Sequence, residues 1–383
     1  MERNDRCPLY KKCGGCQLQN LSYEEQLSYK QVKVIRLLGQ FTHVDEIIGM
    51  KKPTHYRNKV QAAFGTDRRG NVISGVYQSS THKIVPVEKC MIEDEKADEI
   101  IGTIRKLMPS FKMKSYDENR GTGLIRHVLI KRGFKSGQIM VVIVTAKPMF
   151  PSRRAFVNAL LQRHPEITTV IHNVNDGFTS LVLGKHSEVV YGDGKIEEQL
   201  LGCTFRISPS AFYQINPAQT EVLYSKAMEF AELSGKETVI DAYCGTGTIG
   251  IIAAKTAGNV IGVELNKDAV RDAKENARLN NIENIRFIAA DAGEFMVDMA
   301  MAGNKADVVI MDPPRAGSDK KFLTSVMTLA PKRIVYVSCN PETLARDLKT
   351  LTARGKYIVK KIQPVDMFPH TNHVECVVQL IKA

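Results

Sequence analysis

The chain has 383 residues, 25% charged and 43% apolar, a composition that suits a soluble protein of about two or three domains. Lys and Arg number 53 against 41 Asp and Glu, and the net charge of +12 favours a polyanionic partner, nucleic acid first. The strongest apolar run, Ile139 to Ala146, is too short to span a bilayer, and the charged start MERNDRCPLY lacks the apolar stretch of a secretory signal. A cytoplasmic protein with no membrane partner is expected, and its eight cysteines then serve as ligands, nucleophiles or core residues rather than disulfides.

Residues 1–205 read as β-rich and irregular. Cys7, Cys13 and Cys16 stand together in CPLYKKCGGC, and Cys90 follows far downstream in VEKCM. Three clustered thiols plus a distant one can hold a [4Fe-4S] cluster or a zinc ion, and the absence of a second CxxC pair at Cys90 favours iron–sulfur. An amphipathic pattern over Tyr23 to Leu38 predicts a helix. Two hairpins follow, one from Lys59–Phe64 through Asp67–Asn71 into VISGVY, the other from Ile125–Arg132 through Lys135–Gly137 into the Ile139 run. Arg57, Lys59, Arg126, Lys131 and Arg132 make these segments basic, and they are the expected contacts to RNA.

From about residue 206 strands alternate with helices, which predicts a parallel, doubly wound sheet. A helix capped by Asn216 and Pro217 runs to about Leu233, and strands are expected at Thr238–Ala242, Val260–Glu264, Ile285–Ala289, Val308–Met311, Ile334–Val337 and Val374–Leu380. Gly245, Gly247 and Gly250 form GxGxxG directly after the first strand, with Glu264 at the end of the next, where a carboxylate grips ribose hydroxyls. Asp241 would repel a pyrophosphate and attract a sulfonium, so S-adenosylmethionine (SAM) is favoured over a dinucleotide. Asp291, after the third strand, either meets the adenine or caps a helix.

Cys339 lies where the Ile334–Val337 strand breaks into Asn340 and Pro341, a position for a nucleophile in an α/β enzyme; the alternative is an inert core thiol. Glu375 sits in the apolar strand, where burial would raise its pKa toward that of a useful base, unless it only pairs with an arginine. Cys203, Cys244 and Cys376 read as core or loop residues, and His373 as a hydrogen-bonding neighbour of Glu375. The fold class is thus α/β: a Rossmann-like SAM-dependent domain over 206–383 and a β-rich α+β RNA-binding domain with the four cysteines over 1–205.

These segments resemble the RNA uracil-5 methyltransferases, in particular the iron–sulfur-containing members that act on 23S ribosomal RNA. SPSAFYQINPAQTE (Ser208–Glu221), DAYCGTGTIG, DPPRAG (Asp312–Gly317), VSCNP (Val337–Pro341) and FPHTNHVE (Phe368–Glu375) carry the resemblance, with YRNK (Tyr56–Lys59) and LIRHVLIKRG (Leu124–Gly133) in the first half. The resemblance implies that Gln214, Tyr243, Glu264 and Asp312 bind SAM, that Cys339 is the nucleophile and Glu375 the base, and that the four cysteines hold a [4Fe-4S] cluster. Uracil C5 is too weak a nucleophile to take a methyl group directly, so a thiolate must first add to C6. The target base must leave its stack, and exposed RNA loops are the expected targets. Arg315 serves as a source of positive potential or as a phosphate contact.

Many relatives place a small β-barrel before the cysteines, whereas this sequence starts a few residues before Cys7, so RNA affinity is expected from the basic first half. Ribosomal RNA is the expected substrate, transfer RNA the runner-up, and the protein is read as a monomer. An amino-group methyltransferase would have Tyr where Arg315 stands and no use for Cys339. A cytosine-5 methyltransferase lacks the FPHTNHVE segment, and a non-enzymatic iron–sulfur RNA-binding protein leaves the glycine loop unexplained.

Overall fold

The structure is a computed structural model that describes residues 6–78 and 81–383; the first five residues of the charged N-terminal segment lie outside the described residues. The chain forms two compact units. The first takes the chain through Asn20, Lys52–Gln199 and Arg206–Ser210; the second takes Leu21–Lys51, Leu200–Phe205 and Ala211–Ala383. The Tyr23–Leu38 helix, which the sequence places with the first half, thus belongs to the second unit. No helix among the described residues is long and apolar enough to cross a membrane.

The first unit is built on β1 (Lys59–Thr66), β2 (Val72–Tyr77), β3 (Ile84–Pro86), β4 (Ile125–Arg132), β5 (Ile139–Thr145), β6 (Ile167–Val174) and β7 (His186–Tyr191), in the order β3-β2-β1-β4-β5-β6-β7. Only β5 and β6 pair parallel; both expected hairpins form. At the first turn the Asp67 carboxylate accepts from the Arg69 and Asn71 amides at 2.8 and 2.9 Å, a local bond that replaces the ladder. Val60, Ala62 and Phe64 of β1, with Val128 and Ile130 of β4, pack against Ile100, Ile101 and Ile104 of the helix Glu95–Ser110. Alternation along β1 sends Gln61 and Ala63 to the opposite face. Two further strands, β8 (Ile196–Leu200) and β9 (Cys203–Ile207), form a separate ribbon.

The second unit carries β10 (Thr238–Ala242), β11 (Asn259–Glu264), β12 (Ile285–Ala289), β13 (Val308–Met311), β14 (Arg333–Ser338), β15 (Tyr357–Val365) and β16 (Glu375–Lys382), ordered β12-β11-β10-β13-β14-β16-β15. The first five are parallel, as alternating strands and helices predict. The expectation of a wholly parallel sheet is corrected at its end: β16 inserts antiparallel to both β14 and β15. A sharp return from β15 to β16 spans too few residues for a crossover helix, so the pair must be antiparallel.

Val34 and Leu38 of the Tyr23–Leu38 helix are fully buried in the same core as Ile240, Val309, Ile334 and Val378. Ser22 and Glu25 start that helix with reciprocal side-chain to backbone bonds. Its buried polar residues hold the segment leading into β16. The Lys30 ammonium donates to Asp366 at 2.6 Å and to the Phe368 carbonyl at 3.0 Å; the Tyr23 hydroxyl donates to the other Asp366 oxygen at 2.9 Å. The His370 amide donates to the Gln26 side chain at 2.9 Å.

Candidate active site

The strands step one way from β10 to β12 and the other way from β13 to β14, so the sheet has its topological switch between β10 and β13. Ligands of such sheets bind at the carboxyl ends of the strands beside this point. Tyr243 follows β10, Glu264 ends β11, Asp291 follows β12, Asp312 follows β13 and Cys339 follows β14. Glu375 opens the antiparallel β16, at the same edge. The β14–β16 register ends by pairing Ser338 with Cys376, so Cys339 and Glu375 are the residues next to that last pair.

The glycine loop has the geometry of a cradle. Gly247 has a φ of 82°, and a Cβ there would stand 2.8 Å from the Phe287 ring, so only glycine fits. Tyr243 also adopts a left-handed φ, 64°, a strained conformation for a tyrosine; its ring packs at 4.8 Å on Phe322. The Glu264 carboxylate accepts from the Gly245 amide at 3.1 Å and from the Asn266 amide at 2.8 Å, tying the loop to the end of β11. Asp241 is buried and accepts from the Gly250 amide at 2.7 Å, while its other oxygen has no partner. This carboxyl therefore holds the start of the loop helix, a task the sequence argument did not give it. Strained tyrosine, close-packed glycine and an orphaned carboxylate oxygen all fit a bound SAM. Asp291 is exposed and caps the helix Ala292–Met301, accepting from the Glu294 amide at 2.9 Å.

Two loops close over the ends of β13 and β14. Asn340 caps the helix Pro341–Thr352 and donates from Nδ2 to the Arg315 carbonyl at 3.1 Å; Thr343 donates to the same carbonyl at 3.3 Å. Arg346 donates to the carbonyls of Ala316 and Ser318, both at 3.0 Å, and Asp347 accepts from the Ser318 amide at 2.8 Å and the Tyr336 hydroxyl at 2.7 Å. Gly317, with φ of 75°, lets this happen, because a Cβ there would lie 2.6 Å from the Arg346 guanidinium. The loop that bears Asp312 and Arg315 is thereby fixed to the helix that follows Cys339.

Cys339 is half-buried, and its thiol is pushed up to about 11 by burial and by the charges of Glu375 and Asp312, against the opposing Arg315. Glu375 is only 3% exposed; burial and then Asp312 raise its carboxyl to about 8. Burial alone brings Asp312 to about 7. His373 is held below the ordinary imidazole value by burial and by Arg315, Lys33 and Lys30, so it is neutral, with its ring edge-on to Phe368. Cys203, Cys244 and Cys376 are buried. Sequence reasoning missed Tyr224, buried on the helix Pro217–Ala231, whose hydroxyl bonds to Gln214 and Thr248 and feels Asp312 and Glu375. Its signal was its place on the inward face of a helix that starts within the SPSAFYQINPAQTE segment.

In the first unit Cys7, Cys13, Cys16 and Cys90 are all half-buried. Cys13 and Cys16 feel Cys7 and the Arg57 cation, and Glu93 acts on both Cys13 and Cys90. Cys13 and Cys16 thus lie near Cys7 and Arg57, and Cys13 and Cys90 near Glu93. Among the described residues, however, no three His, Cys, Asp or Glu side chains converge on a metal-binding position.

Residues 22–383 match the family described as tRNA (uracil-5-)-methyltransferase. The chain belongs to this family. The RNA methyltransferase of Clostridium tetani, described as uncharacterized, is 44% identical over 376 residues, 97% of this chain and 81% of that protein. A second such relative, from Halalkalibacterium halodurans, is 43% identical over 379 residues, 98% of this chain and 82% of its own length. The crystal structure of Pyrococcus abyssi tRNA (uracil-54, C5)-methyltransferase in complex with S-adenosyl-L-homocysteine superposes with a TM-score of 0.82 at 30% identity, covering 98% of this chain and 86% of that one. This member of the uracil-5 methyltransferase family is therefore a SAM-dependent RNA methyltransferase.

Proposed function

We propose that the enzyme methylates C5 of a uridine through a covalent adduct between Cys339 and C6 of the base. The observation that carries this reading is the register of β14 and β16, which sets a thiol and a buried carboxylate side by side at the edge holding the glycine loop. Bound SAM supplies a methyl group activated by a sulfonium; Gln214, Tyr243, Gly245, Gly247, Glu264 and Asp312 would hold it, with Asp291 at the adenine end. The Cys339 sulfur adds to C6 and makes C5 electron-rich. After C5 gains the methyl group, Glu375 takes the C5 proton, the C6–S bond breaks, and the thiolate is restored. A carboxyl near 8 suits this work, because its ionised form, populated as the pH rises toward that value, is basic enough to take the C5 proton. Arg315 opposes the two carboxylates that hold the thiol up, so it favours the thiolate.

The sequence pattern of Cys7, Cys13 and Cys16 with a distant Cys90 supports a [4Fe-4S] cluster in the first unit. That cysteine pattern is the reason for preferring a uridine of 23S ribosomal RNA as substrate, for a monomer working in the cytoplasm. The second reading is transfer RNA, favoured by the named substrate of the Pyrococcus abyssi enzyme.

The test is mass mapping of 5-methyluridine in ribosomal and transfer RNA from cells with and without the gene, combined with two variants. Cys339→Ala should abolish methylation and any covalent RNA adduct while SAM still binds. Glu375→Gln should add and methylate but not eliminate, leaving a methylated RNA attached to the protein as a slow band on a denaturing gel. Near wild-type turnover by Glu375→Gln would make Glu375 a structural carboxylate. Anaerobically purified protein should carry about four iron and about four sulfide per chain; stoichiometric zinc without iron would end the cluster proposal.

A further inference from the structure

The first unit has a cavity of about 550 Å³ that the methyl-transfer chemistry does not use. Its floor is the face of the sheet that the helices leave uncovered. Gly75 of β2, Ala63 of β1 and His127 of β4 lie in one row across three strands, and the two small residues leave the row open beside the imidazole. The walls are Tyr77, Tyr116, His82 and Glu118, and Phe178, 92% exposed, stands at the rim.

Arg126 has the most unusual placement in this cavity. The β4–β5 register shifts between Ile125 and His127, so Arg126 is the extra residue of a bulge, a device that re-aims a side chain. It is 4% exposed, its guanidinium lies 4.9 Å from the Tyr116 ring centre, and one end donates to the carbonyls of Asn175 and Gly177, both at 2.8 Å. Its Nε is buried without a partner. Glu118 balances the charge at 3.8 Å and also accepts from Tyr77 and His82, at 3.4 and 2.9 Å. The cavity thus presents a buried cation stacked on a tyrosine, one donor left over by its carbonyl bonds, and an aromatic rim. It suits a planar heterocycle with polar edges.

We propose that this cavity receives one unstacked base of an RNA chain, with Phe178 and Tyr77 as stacking surfaces and Arg126 and His127 meeting the polar edge of the base. The volume admits a purine, and the excess of Lys and Arg over acidic residues supplies the attraction for the phosphates on either side. Burial keeps His127 neutral, near 4, so it can donate from one nitrogen and accept at the other. The inference rests on RNA as the substrate class but not on the uridine chemistry.

The test uses the full chain and single-stranded 12-mers of oligo(A) and oligo(U), each with one photoreactive thio-substituted base. Cross-links should map to Tyr77, Tyr116 or Phe178, in the wild type and equally in Cys339→Ala. Phe178→Ala, at a fully solvated position, should weaken binding roughly 5- to 100-fold, the range for loss of one base–aromatic stack. Gln61→Trp, which fills the cavity from an exposed position on β1, should weaken it at least as much with an unchanged melting temperature. Cross-links confined to the second unit, or both variants binding within twofold of wild type, would overturn the proposal, as would competition for the cavity by an acidic peptide but not by RNA. A wild type that cross-links here yet makes no 5-methyluridine would instead count against the uridine reading alone.

Discussion

Asp241, Asp312 and Glu375 are three carboxyls within one site, the first and last buried and Asp312 partly so, and each is raised, to about 8, about 7 and about 8. For Glu375 the native state keeps its proton up to about 8 while an unfolded chain releases it near 4.5. Between those values the native state binds more protons, so the contribution of Glu375 to stability is full below 4.5 and is lost as the pH rises through 8. The ligand-free enzyme should melt at lower temperature at pH 8.5 than at pH 6, and Glu375→Gln should flatten that slope, as followed by differential scanning fluorimetry; parallel slopes would show that Glu375 ionises freely. Turnover should run the other way, because a base must be ionised to act. The same carboxyl thus makes the enzyme less stable in the pH range where it is more active.

The Tyr23–Leu38 helix acts on chemistry through the segment Asp366–Val374, which enters β16 at Glu375. The Lys30–Asp366 pair is fully buried, and removing one partner of such a pair costs about 3–5 kcal/mol because the other charge is stranded. Lys30→Met should therefore lower unfolding stability in urea by about that amount and reduce the rate of methylation, while Lys30→Met with Asp366→Leu should recover most of the stability. Recovery of stability without recovery of rate would show that the pair positions the segment; full recovery of both would make it a packing feature only. A second element-scale outcome concerns Gly317: Gly317→Ala should slow methylation severalfold and leave the sheet folded, since the added Cβ collides with Arg346 and Asp347. A rate within error of wild type would mean that the loop yields.

Legibility in the sequence followed the same elements. The β10, β12 and β13 bounds were readable to the residue because these short runs are apolar and lie between clear breaks. The strand β15 was not, since it lies at the sheet edge, exposes alternate residues at its start, and carries Pro364, which sequence rules count against a strand. The Tyr23–Leu38 helix was visible as a helix but not as part of the second unit, because its partner Asp366 lies 336 residues from Lys30. Cys339, Glu375 and Glu264 were visible because each is a reactive or charged residue at the end of an apolar strand. Tyr224, Asn340 as a tether and Asp347 were not, since their roles come from bonds that no spacing reveals.

Across the whole molecule, charge in the sequence and charge available to RNA are different quantities. Arg126, Lys131 and Arg132 looked like phosphate contacts, but the fold uses them: Arg126 is enclosed, Lys131 is 5% exposed and donates to the Ser208 carbonyl at 2.9 Å, and Arg132 bonds Asp94 at 2.7 Å. Asp94 in turn caps the helix Glu95–Ser110 by accepting from the Ala97 amide at 3.0 Å. Arg132→Gln should accordingly reduce stability, by about 1–2 kcal/mol as one cap-supporting charged hydrogen bond is lost, and leave the salt dependence of RNA binding unaltered. Lys83 and Arg120 are exposed residues of the same unit, and Arg120 is paired with Asp117 only at 3.8 Å, so both charges can turn to phosphates. Replacing both with Gln should flatten the plot of log affinity against log salt by about 0.7 per charge for single-stranded RNA, with no change in melting temperature. Titrations of single-stranded RNA at four salt concentrations decide the matter. If Arg132→Gln flattens the line and the exposed pair does not, the free basic surface lies elsewhere and the buried arginines open to reach the RNA.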